Sequence, residues 1–379
     1  MKIGLLGFGT VGQGVYELCC QREDMSVTWV FCRREVQLEN VRVTHDFQDI
    51  LNDSSVDTVV EVIGGLHPAA DYVLAALRAG KNVVTANKAM MAACYAEILE
   101  ACRQSGARIR CTAAVGGGIG WLPALERACR VETIGQISGI MNGTCNYILD
   151  SMTRLGLQYR EALSQAQAFG YAEADPTADV DGIDTWNKLI LSANIAFGVS
   201  LDRAQVPVAG ISTITAEDVA AFSQRGYVCK LLGRAKVSGG CVEAFVQPTL
   251  VGRDQLEAAV PSNHNLITYV GNTSGRQSFF GQGAGRYPTA YNVLQDLQDL
   301  RSGKGFYQQQ QRPMPVRNLC KAAFYVRGPE NDWLRANTAE RWSDGIVTSG
   351  VTVEAMHAYL AAHPGAFIAA LPERKDQLC

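Results

Sequence analysis

The chain has 379 residues, 47% of them hydrophobic, and a net charge of −3 at pH 7. That length predicts two or three domains with ample cores, and the charge balance argues against nucleic-acid or membrane-surface partners. No apolar run is long enough for a membrane span, the twelve cysteines contain no CxxC pair, and the five histidines form no cluster. These features predict reduced core thiols and no histidine-built metal site. With the first residues running straight into a strand, no signal peptide is expected and the expected location is the cytoplasm.

An apolar run at residues 2–6 predicts a strand. Gly7, Phe8, Gly9, Thr10, Val11 and Gly12 follow it directly, ahead of a predicted helix over 11–21. A GxGxxG between strand and helix marks a dinucleotide-binding turn. Gly7 permits the tight turn, Gly9 lets backbone approach a pyrophosphate, and Gly12 allows close helix–strand packing. The helix N-terminus offers N–H groups and partial positive charge to the phosphates. The next strand, over 27–32, ends at Arg33 and Arg34, with no acid before Glu35. An acid there accepts the ribose 2′-OH of NAD, whereas arginine accommodates a 2′-phosphate. The pattern favours NADP(H) over NAD(H); the plainer alternative is a solvated arginine pair.

Strand–helix alternation continues to about residue 128. A strand over 58–62 leads into Gly64 and Gly65, a helix covers 69–79, and a strand over 82–85 delivers Asn87 and Lys88. One long helix is expected over 89–105, then a strand over 108–111 running into the triple glycine 116–118. Ligands of open α/β sheets bind at strand carboxyl ends. Asn87, Lys88 and the triple glycine are therefore expected beside a nicotinamide ring. The alternative for Lys88 is an ordinary exposed lysine at a helix start.

After residue 130 the pattern changes. A strand over 136–141 leads into Asn142, Gly143 and Thr144, which open a helix through 155. The acidic segment follows: Glu173, Asp175, Asp179, Asp181 and Asp184 fall within twelve residues, ahead of Lys188. Lysine is an unusual choice in a chain with nine lysines and 25 arginines, and unlike arginine it can lose its proton when buried. Such a cluster can hold a substrate ammonium group while the lysine moves a proton. The plainer alternative is an acidic loop capping the helix expected over 183–196. Strands over 228–237, 241–251 and 266–271 complete a helix-plus-sheet region. Residues 281–285 read as a flexible return loop, 288–300 as a helix, and 302–318 as a polar linker. The last sixty residues predict a small βαβαβ unit with strands near 322–326, 345–348 and 366–370 and a helix over 352–362.

The expected fold class is α/β. A Rossmann-type parallel-sheet domain covers 1–129, with 288–318 packing back on it; an α+β catalytic and dimerisation domain covers 130–287; a small α/β tail covers 319–379.

The chain resembles the homoserine dehydrogenases over roughly residues 1–318. The carrying segments are GFGTVG (7–12), TANKA (85–89), AAVGGG (113–118), GIMNGTCNYIL (139–149), the acidic segment with its lysine (170–189) and GQGAGRYPTA (281–290). The resemblance implies NAD(P)H-dependent interconversion of L-aspartate 4-semialdehyde and L-homoserine, in threonine, methionine and isoleucine biosynthesis. It implies Lys88 and Lys188 as catalytic lysines and Glu173 and Asp184 as the acids that hold the substrate ammonium group. Gly143, Thr144, Tyr171 and Asp179 fall in the substrate-lining segments. The implied coenzyme residues are Gly7 to Gly12, Arg33, Arg34, Gly64, Asn87, Lys88 and Gly285. No histidine stands in any motif, so lysine is the available acid. Lys188 is assigned proton transfer and Lys88 orientation and charge stabilisation, with the roles exchanged or shared as the alternative.

Departures from the family pattern matter. Thr112 stands where members commonly have a glutamate that helps hold a monovalent cation with carbonyls near Val115 and Gly117, so no tight cation site is expected. Gly120 replaces a common proline, and Asn187 a frequent histidine. The tail reads as one strand short of the βαββαβ order of the regulatory domain that many members carry. The resemblance further implies a homodimer joined through residues between about 130 and 285, a small-molecule substrate, and no nucleic-acid or membrane partner. Two other classes stay open. A different two-domain amino-acid dehydrogenase would keep the glycine turn but not segment 170–189. A non-catalytic NADP-binding sensor would be expected to lose Lys88 or Lys188.

Overall fold

A computed structural model describes residues 1–306, 311–342 and 344–372. Two units emerge from the chain's internal contacts. Unit 1 is Met1–Glu132, Asn194–Ser200 and Gly281–Arg312; unit 2 is Thr133–Ala193, Leu201–Phe280 and Pro313–Cys379. Among the described residues no helix is long and apolar enough to cross a membrane.

Unit 1 begins with β1 (Lys2–Leu6), α1 (Thr10–Cys20), β2 (Ser26–Phe31), β3 (Arg42–Thr44), α2 (Phe47–Asn52), β4 (Thr58–Glu61), α3 (Ala69–Arg78), β5 (Asn82–Thr85), α4 (Lys88–Ala93), α5 (Tyr95–Ser105), β6 (Ile109–Arg110) and α6 (Trp121–Cys129). The strands pair in parallel in the order β3-β2-β1-β4-β5-β6. This is the doubly wound dinucleotide-binding order, and its switch point lies between β1 and β4. Ile3, Leu5, Leu6, Val59 and Val60 have no exposed surface, which is why these strands read as continuous apolar runs rather than alternating ones.

The long helix expected over 89–105 is two helices. Cys94 leaves the helical region (φ −108, ψ 20) between α4 and α5. No glycine or proline marks the break. The Cys94 N–H still donates to Met90 O (2.8 Å) and its carbonyl accepts from Ile98 N (2.9 Å), so the helical spacing of apolar residues survives it.

Unit 2 opens with β7 (Ile134–Ile140), α7 (Gly143–Leu155), α8 (Tyr159–Ala168), α9 (Thr177–Val180), α10 (Ile183–Phe197) and α11 (Ala216–Gln224). It continues through the hairpin β8 (Tyr227–Ser238) and β9 (Cys241–Gly252) to β10 (His264–Gly271) and β11 (Gly275–Gln282). Next comes α12 (Arg286–Arg301), which belongs to unit 1. There Ala290, Val293, Leu297 and Leu300 join the core cluster of β1, β2 and α1.

Strand β11 went unseen in the sequence, and it corrects the expected loop at 281–285: Gly281 and Gln282 belong to it. Its residues alternate between half-buried and exposed, and half of them are polar, the pattern of an edge strand rather than of a core one.

The last segment runs β12 (Lys321–Ala322), β13 (Phe324–Arg327), α13 (Asp332–Ala336), β14 (Thr338–Arg341), β15 (Ile346–Thr348), β16 (Val351–Thr352), α14 (Val353–Ala362) and β17 (Phe367–Ala370). The expected βαβαβ reading missed β14, a polar TAER strand that pairs antiparallel with β15. With it the βαββαβ order is complete. These strands extend the hairpin sheet, in the order β11-β10-β7-β8-β9-β17-β13-β15-β14, because β17 pairs in parallel with β9 at Ala370 and Thr249. Polar links reinforce the join. Asp218, buried on α11, accepts from Tyr325 Oη (2.7 Å) and from Arg327 Nε (3.0 Å) on β13.

On α14, His357 is buried with Nε2 2.9 Å from Gln247 Oε1 on β9. Burial pushes its pKa down from 6.5 to about 4. The fold excludes the charged form, so this contribution is full above pH 6.5 and is lost as pH falls toward 4. At ~1.4 kcal/mol per unit, the loss approaches about 3 kcal/mol. His357→Gln is expected to remove that part of the acid-side loss in urea unfolding between pH 6.5 and 4. An unchanged slope would assign the acid sensitivity to other groups.

Candidate active site

In unit 1 the glycine turn is built as its sequence suggested. Gly7 has φ +101, and a Cβ on Gly12 would stand 2.1 Å from Gly7 O. At Gly9 a Cβ would meet nothing within 4 Å, so backbone there is open to an approaching phosphate. Gly9 is the N-cap of α1, and no side chain caps that end. The first-turn N–H groups thus fit an anion. Arg34 Nη2 donates to Phe8 O (2.7 Å), which ties the basic pair after β2 to the turn itself. Arg33 is exposed. Glu35 is paired instead with His45 (3.2 Å).

The ends of β4 and β5 carry a buried carboxylate that the sequence analysis missed. Glu61 has no exposed surface. Its Oε1 accepts from Ile63 N (2.8 Å) and Gly64 N (3.2 Å), and its Oε2 accepts from Thr85 Oγ1 (2.6 Å). Asn87 Nδ2 donates to Gly65 O (2.7 Å), while Asn87 Oδ1 accepts from Met90 N (3.1 Å) and so caps α4. Lys88 is the first residue of that helix. A lone acid inside the apolar run TVVEV was the available signal. Gly285 (φ +132) caps α12, and Tyr287 Oη donates to Glu17 on α1 (3.0 Å).

In the segment flagged for a cation, Thr112 and the Gly117 carbonyl have protein partners. Gly117 O accepts from Asn292 Nδ2 (2.5 Å), and Thr112 donates its hydroxyl and its N–H to Asp296 (2.6 and 2.7 Å). Burial pushes the Asp296 carboxyl up to about 6, against the pull of Arg110. Thr112, where members of the family commonly carry a glutamate, is thus bonded to Asp296, and the Gly117 carbonyl has an amide donor.

In unit 2 the acidic cluster centres on Asn142, a residue named by the sequence only as part of its motif. Asn142 caps α7: its Oδ1 accepts from Cys145 N (2.7 Å). That bond fixes the amide orientation, so Nδ2 faces two carboxylates, Asp179 Oδ1 (2.7 Å) and Asp184 Oδ2 (2.8 Å). Lys188, one helical turn after Asp184 on α10, donates to Asp184 Oδ2 and to Met141 O, both at 2.7 Å. Lys188 and Asp184 are each only 7% exposed. Burial raises the Asp179 pKa; Asn142 opposes the shift and Asp184 adds to it. Thr144 Oγ1 donates to Tyr171 O (2.5 Å), which brings the 171 turn to the start of α7. At Gly143 a Cβ would stand 2.5 Å from Asn263 O, so glycine is required.

Not every acid joins this group. Asp175 accepts from Thr177 N (3.1 Å) and Oγ1 (2.5 Å), at the short helix α9 and not at the helix expected over 183–196. Glu173 is exposed, and its backbone carbonyl accepts from Gln167 (3.1 Å). Tyr171 is 38% exposed and packs on Tyr147 and Phe169, with ring centroids 5.2 and 5.9 Å away. The cluster is therefore the buried Asn142, Asp184 and Lys188 with the half-buried Asp179. An ammonium carries three N–H groups, and two of those on Lys188 are spent on Met141 and Asp184. This group can hold a cationic substrate atom and present a proton beside it.

A sequence-family model described as homoserine dehydrogenase matches residues 121–298, and one described as homoserine dehydrogenase, NAD binding domain, matches residues 7–112. The homoserine dehydrogenase of Bacillus subtilis is 39% identical over 311 residues, covering 78% of this chain and 72% of that protein. That of a Synechocystis species is 40% identical over 313 residues, with the same coverage. Among solved structures, a homoserine dehydrogenase from Thiobacillus denitrificans superposes with a TM-score of 0.88 at 31% identity, covering 98% of both chains. The Staphylococcus aureus enzyme at pH 6.5 gives a TM-score of 0.79 at 28% identity and 99% of both chains.

Proposed function

The chain belongs to the homoserine dehydrogenase family, and on that premise we propose that Lys188 moves the proton while Asp179 and Asp184 receive the substrate ammonium group. The reaction interconverts L-aspartate 4-semialdehyde and L-homoserine with a nicotinamide coenzyme, which when bound supplies or accepts the hydride. The observation that carries the residue assignment is the buried Lys188 amine, fixed at 2.7 Å from both Asp184 and Met141 O. In the reductive direction the aldehyde oxygen gains negative charge and needs a proton or a cation. Lys188 gives the proton and Asp184 holds its amine in place. Lys88, at the start of α4 behind the Asn87 cap, orients the oxygen and stabilises its charge. Glu173, at the exposed turn, assists with the ammonium group. Single-turnover hydride transfer by Lys188→Ala tests this: slow chemistry with intact coenzyme binding supports it, and unchanged chemistry removes Lys188 from the step.

On the coenzyme side Gly7 to Gly12 hold the pyrophosphate, with Gly64, Asn87 and Gly285 lining the same site. Arg33 and Arg34 recognise a 2′-phosphate, because a guanidinium pairs with it bidentately. Arg34 also supports the turn through Phe8 O, so Arg34→Ala is expected to weaken both coenzymes. Arg33→Ala is expected to raise KM for NADPH well above any change for NADH. A wild-type preference for NADH would overturn the assignment.

The same proposal makes the chain a homodimer joined through unit 2. The support is β11, an edge strand that carries the exposed Phe280, next to Val270 exposed on β10, since an unpaired edge invites another chain. Light scattering at the monomer mass would contradict it. The cysteines of the described residues are free thiols, which supports a reducing, cytoplasmic setting; disulfides found in protein isolated from its cells would count against it.

A further inference from the structure

Lys188 is not the most deeply buried amine of unit 2. Lys230, on β8, has no exposed surface. Its Nζ donates to Asn146 Oδ1 and to Val260 O, both at 2.8 Å. Neither partner is charged. An ammonium group among neutral acceptors in a core is costly, and burial lowers its pKa to about 8. A methionine or leucine would fill the same volume at less cost, so the amine calls for a reason.

The contacts around it lead toward the substrate cluster. Asn146, on the second turn of α7, is 1% exposed. While its Oδ1 accepts from Lys230 Nζ, its Nδ2 donates to Val260 O (3.2 Å), Ser262 O (2.8 Å) and His264 O (3.3 Å). Asp150, one turn further along α7, accepts from Ser262 N (2.9 Å). Segment 260–264 is thus drawn tightly onto α7. Ser262 takes a positive φ of 51 there, an uncommon backbone state for a residue other than glycine. The neighbouring Asn263 carbonyl is the group that leaves no room for a Cβ on Gly143. Asn265, the next residue after the segment, donates Nδ2 to Met141 O (3.0 Å). That carbonyl is the one that accepts from Lys188 (2.7 Å).

We infer that Lys230 is a positioning residue for the reaction: through Asn146 and Val260 it clamps segment 260–265 onto α7, and so sets the Met141 carbonyl and the Gly143 turn on which Lys188 and Asn142 depend. The inference rests on the role given above to Lys188. Lys230 touches neither of the two carboxylates nor Lys188; it acts by fixing the backbone that they bond.

The test uses the whole chain and four variants. Lys230→Met keeps the side-chain length and removes the donors. Misplacement of a reacting group by about 1 Å can lower rate on the order of 10²-fold. Lys230→Met is therefore expected to lower kcat by about 10- to 100-fold at temperatures far below its Tm, with KM for the nicotinamide coenzyme unchanged. Asn265→Ala cuts the same link one step nearer to Lys188 and is expected to lower kcat in the same way. The double variant is expected to lose clearly less than the product of the two single losses, because both changes act on one element. A Lys230→Met enzyme with lowered Tm but wild-type kcat would overturn the inference and leave Lys230 a packing residue. If Lys230→Met does not fold, Asn265→Ala carries the test alone, and wild-type kcat there overturns it equally. Lys188→Ala, measured alongside, separates the two levels. Wild-type kcat in Lys188→Ala sinks the underlying assignment. Loss of activity in Lys188→Ala together with full activity in Lys230→Met sinks only the positioning role.

Discussion

Lys188→Ala is expected to lower kcat by about 10²–10⁴, the usual size of a lost acid/base or charge-stabilising group. The side chain sits where that loss is hardest to replace. It is buried, bonded at 2.7 Å to Asp184 and to a backbone carbonyl, and water has little access to take over its proton. Lys88→Ala is expected to fall in the same range if it stabilises the developing oxyanion. The two should differ in a second measurement: Lys88 follows Asn87 at the carboxyl end of β5, where the coenzyme is proposed to bind, so its loss should also weaken coenzyme binding. Turnover at the wild-type rate in either variant, at saturating substrate, removes that residue from the mechanism. Circular dichroism of Lys188→Ala must first show a folded protein, because stranding Asp184 without its ion partner is itself destabilising.

Asp184→Asn is expected to be nearly as damaging. It strips Lys188 of its ion partner and places an amide against Asn142 Nδ2, which now donates to that carboxylate at 2.8 Å. Lys188 then lacks the carboxylate that holds its amine in place, and misplacement of a reacting group by about 1 Å can cost on the order of 10²-fold, so kcat/KM should fall by about 10². Asp179 separates the two duties of the cluster. It bonds Asn142 (2.7 Å), whereas Lys188 donates to Asp184 and Met141. Asp179→Asn should therefore harm a substrate carrying the α-amino group far more than one lacking it, whereas Asp184→Asn should harm both. Equal losses for Asp179→Asn with the two substrates would assign Asp179 to folding rather than to the ammonium group.

The parts of this molecule that were legible in the sequence are those where local chemistry decides. The glycine turn needs Gly7 at positive φ and Gly12 against Gly7 O, and no other residue type fits. The order of apolar runs also gave the parallel sheet. What the sequence hid was decided by tertiary context. Strands β11 and β14 are polar and lie toward the sheet's ends, so neither carries an apolar alternation to announce it. The break at Cys94 keeps its hydrogen bonds and therefore its periodicity. In the site, Lys188 and Asp184 stood out because a lysine behind five clustered carboxylates is unusual in a chain with nine lysines and 25 arginines. Asn142 and Glu61 did not, since a lone amide or acid reads as a cap or a strand end until its partners come from distant segments. Lys230 was hidden for the same reason: its role lies in bonds to residues 84 and 30 positions away.

The central claim is that this chain is a dehydrogenase for one amino-acid aldehyde. The most direct measurement is oxidation of NADPH by the purified full-length protein with L-aspartate 4-semialdehyde, beside succinic semialdehyde, which lacks the amino group, and a panel of keto acids. The account predicts rapid turnover with aspartate semialdehyde, much lower kcat/KM with the deaminated aldehyde, and none with keto acids. No turnover of aspartate semialdehyde with either NADPH or NADH, or equal kcat/KM with and without the amino group, would contradict it.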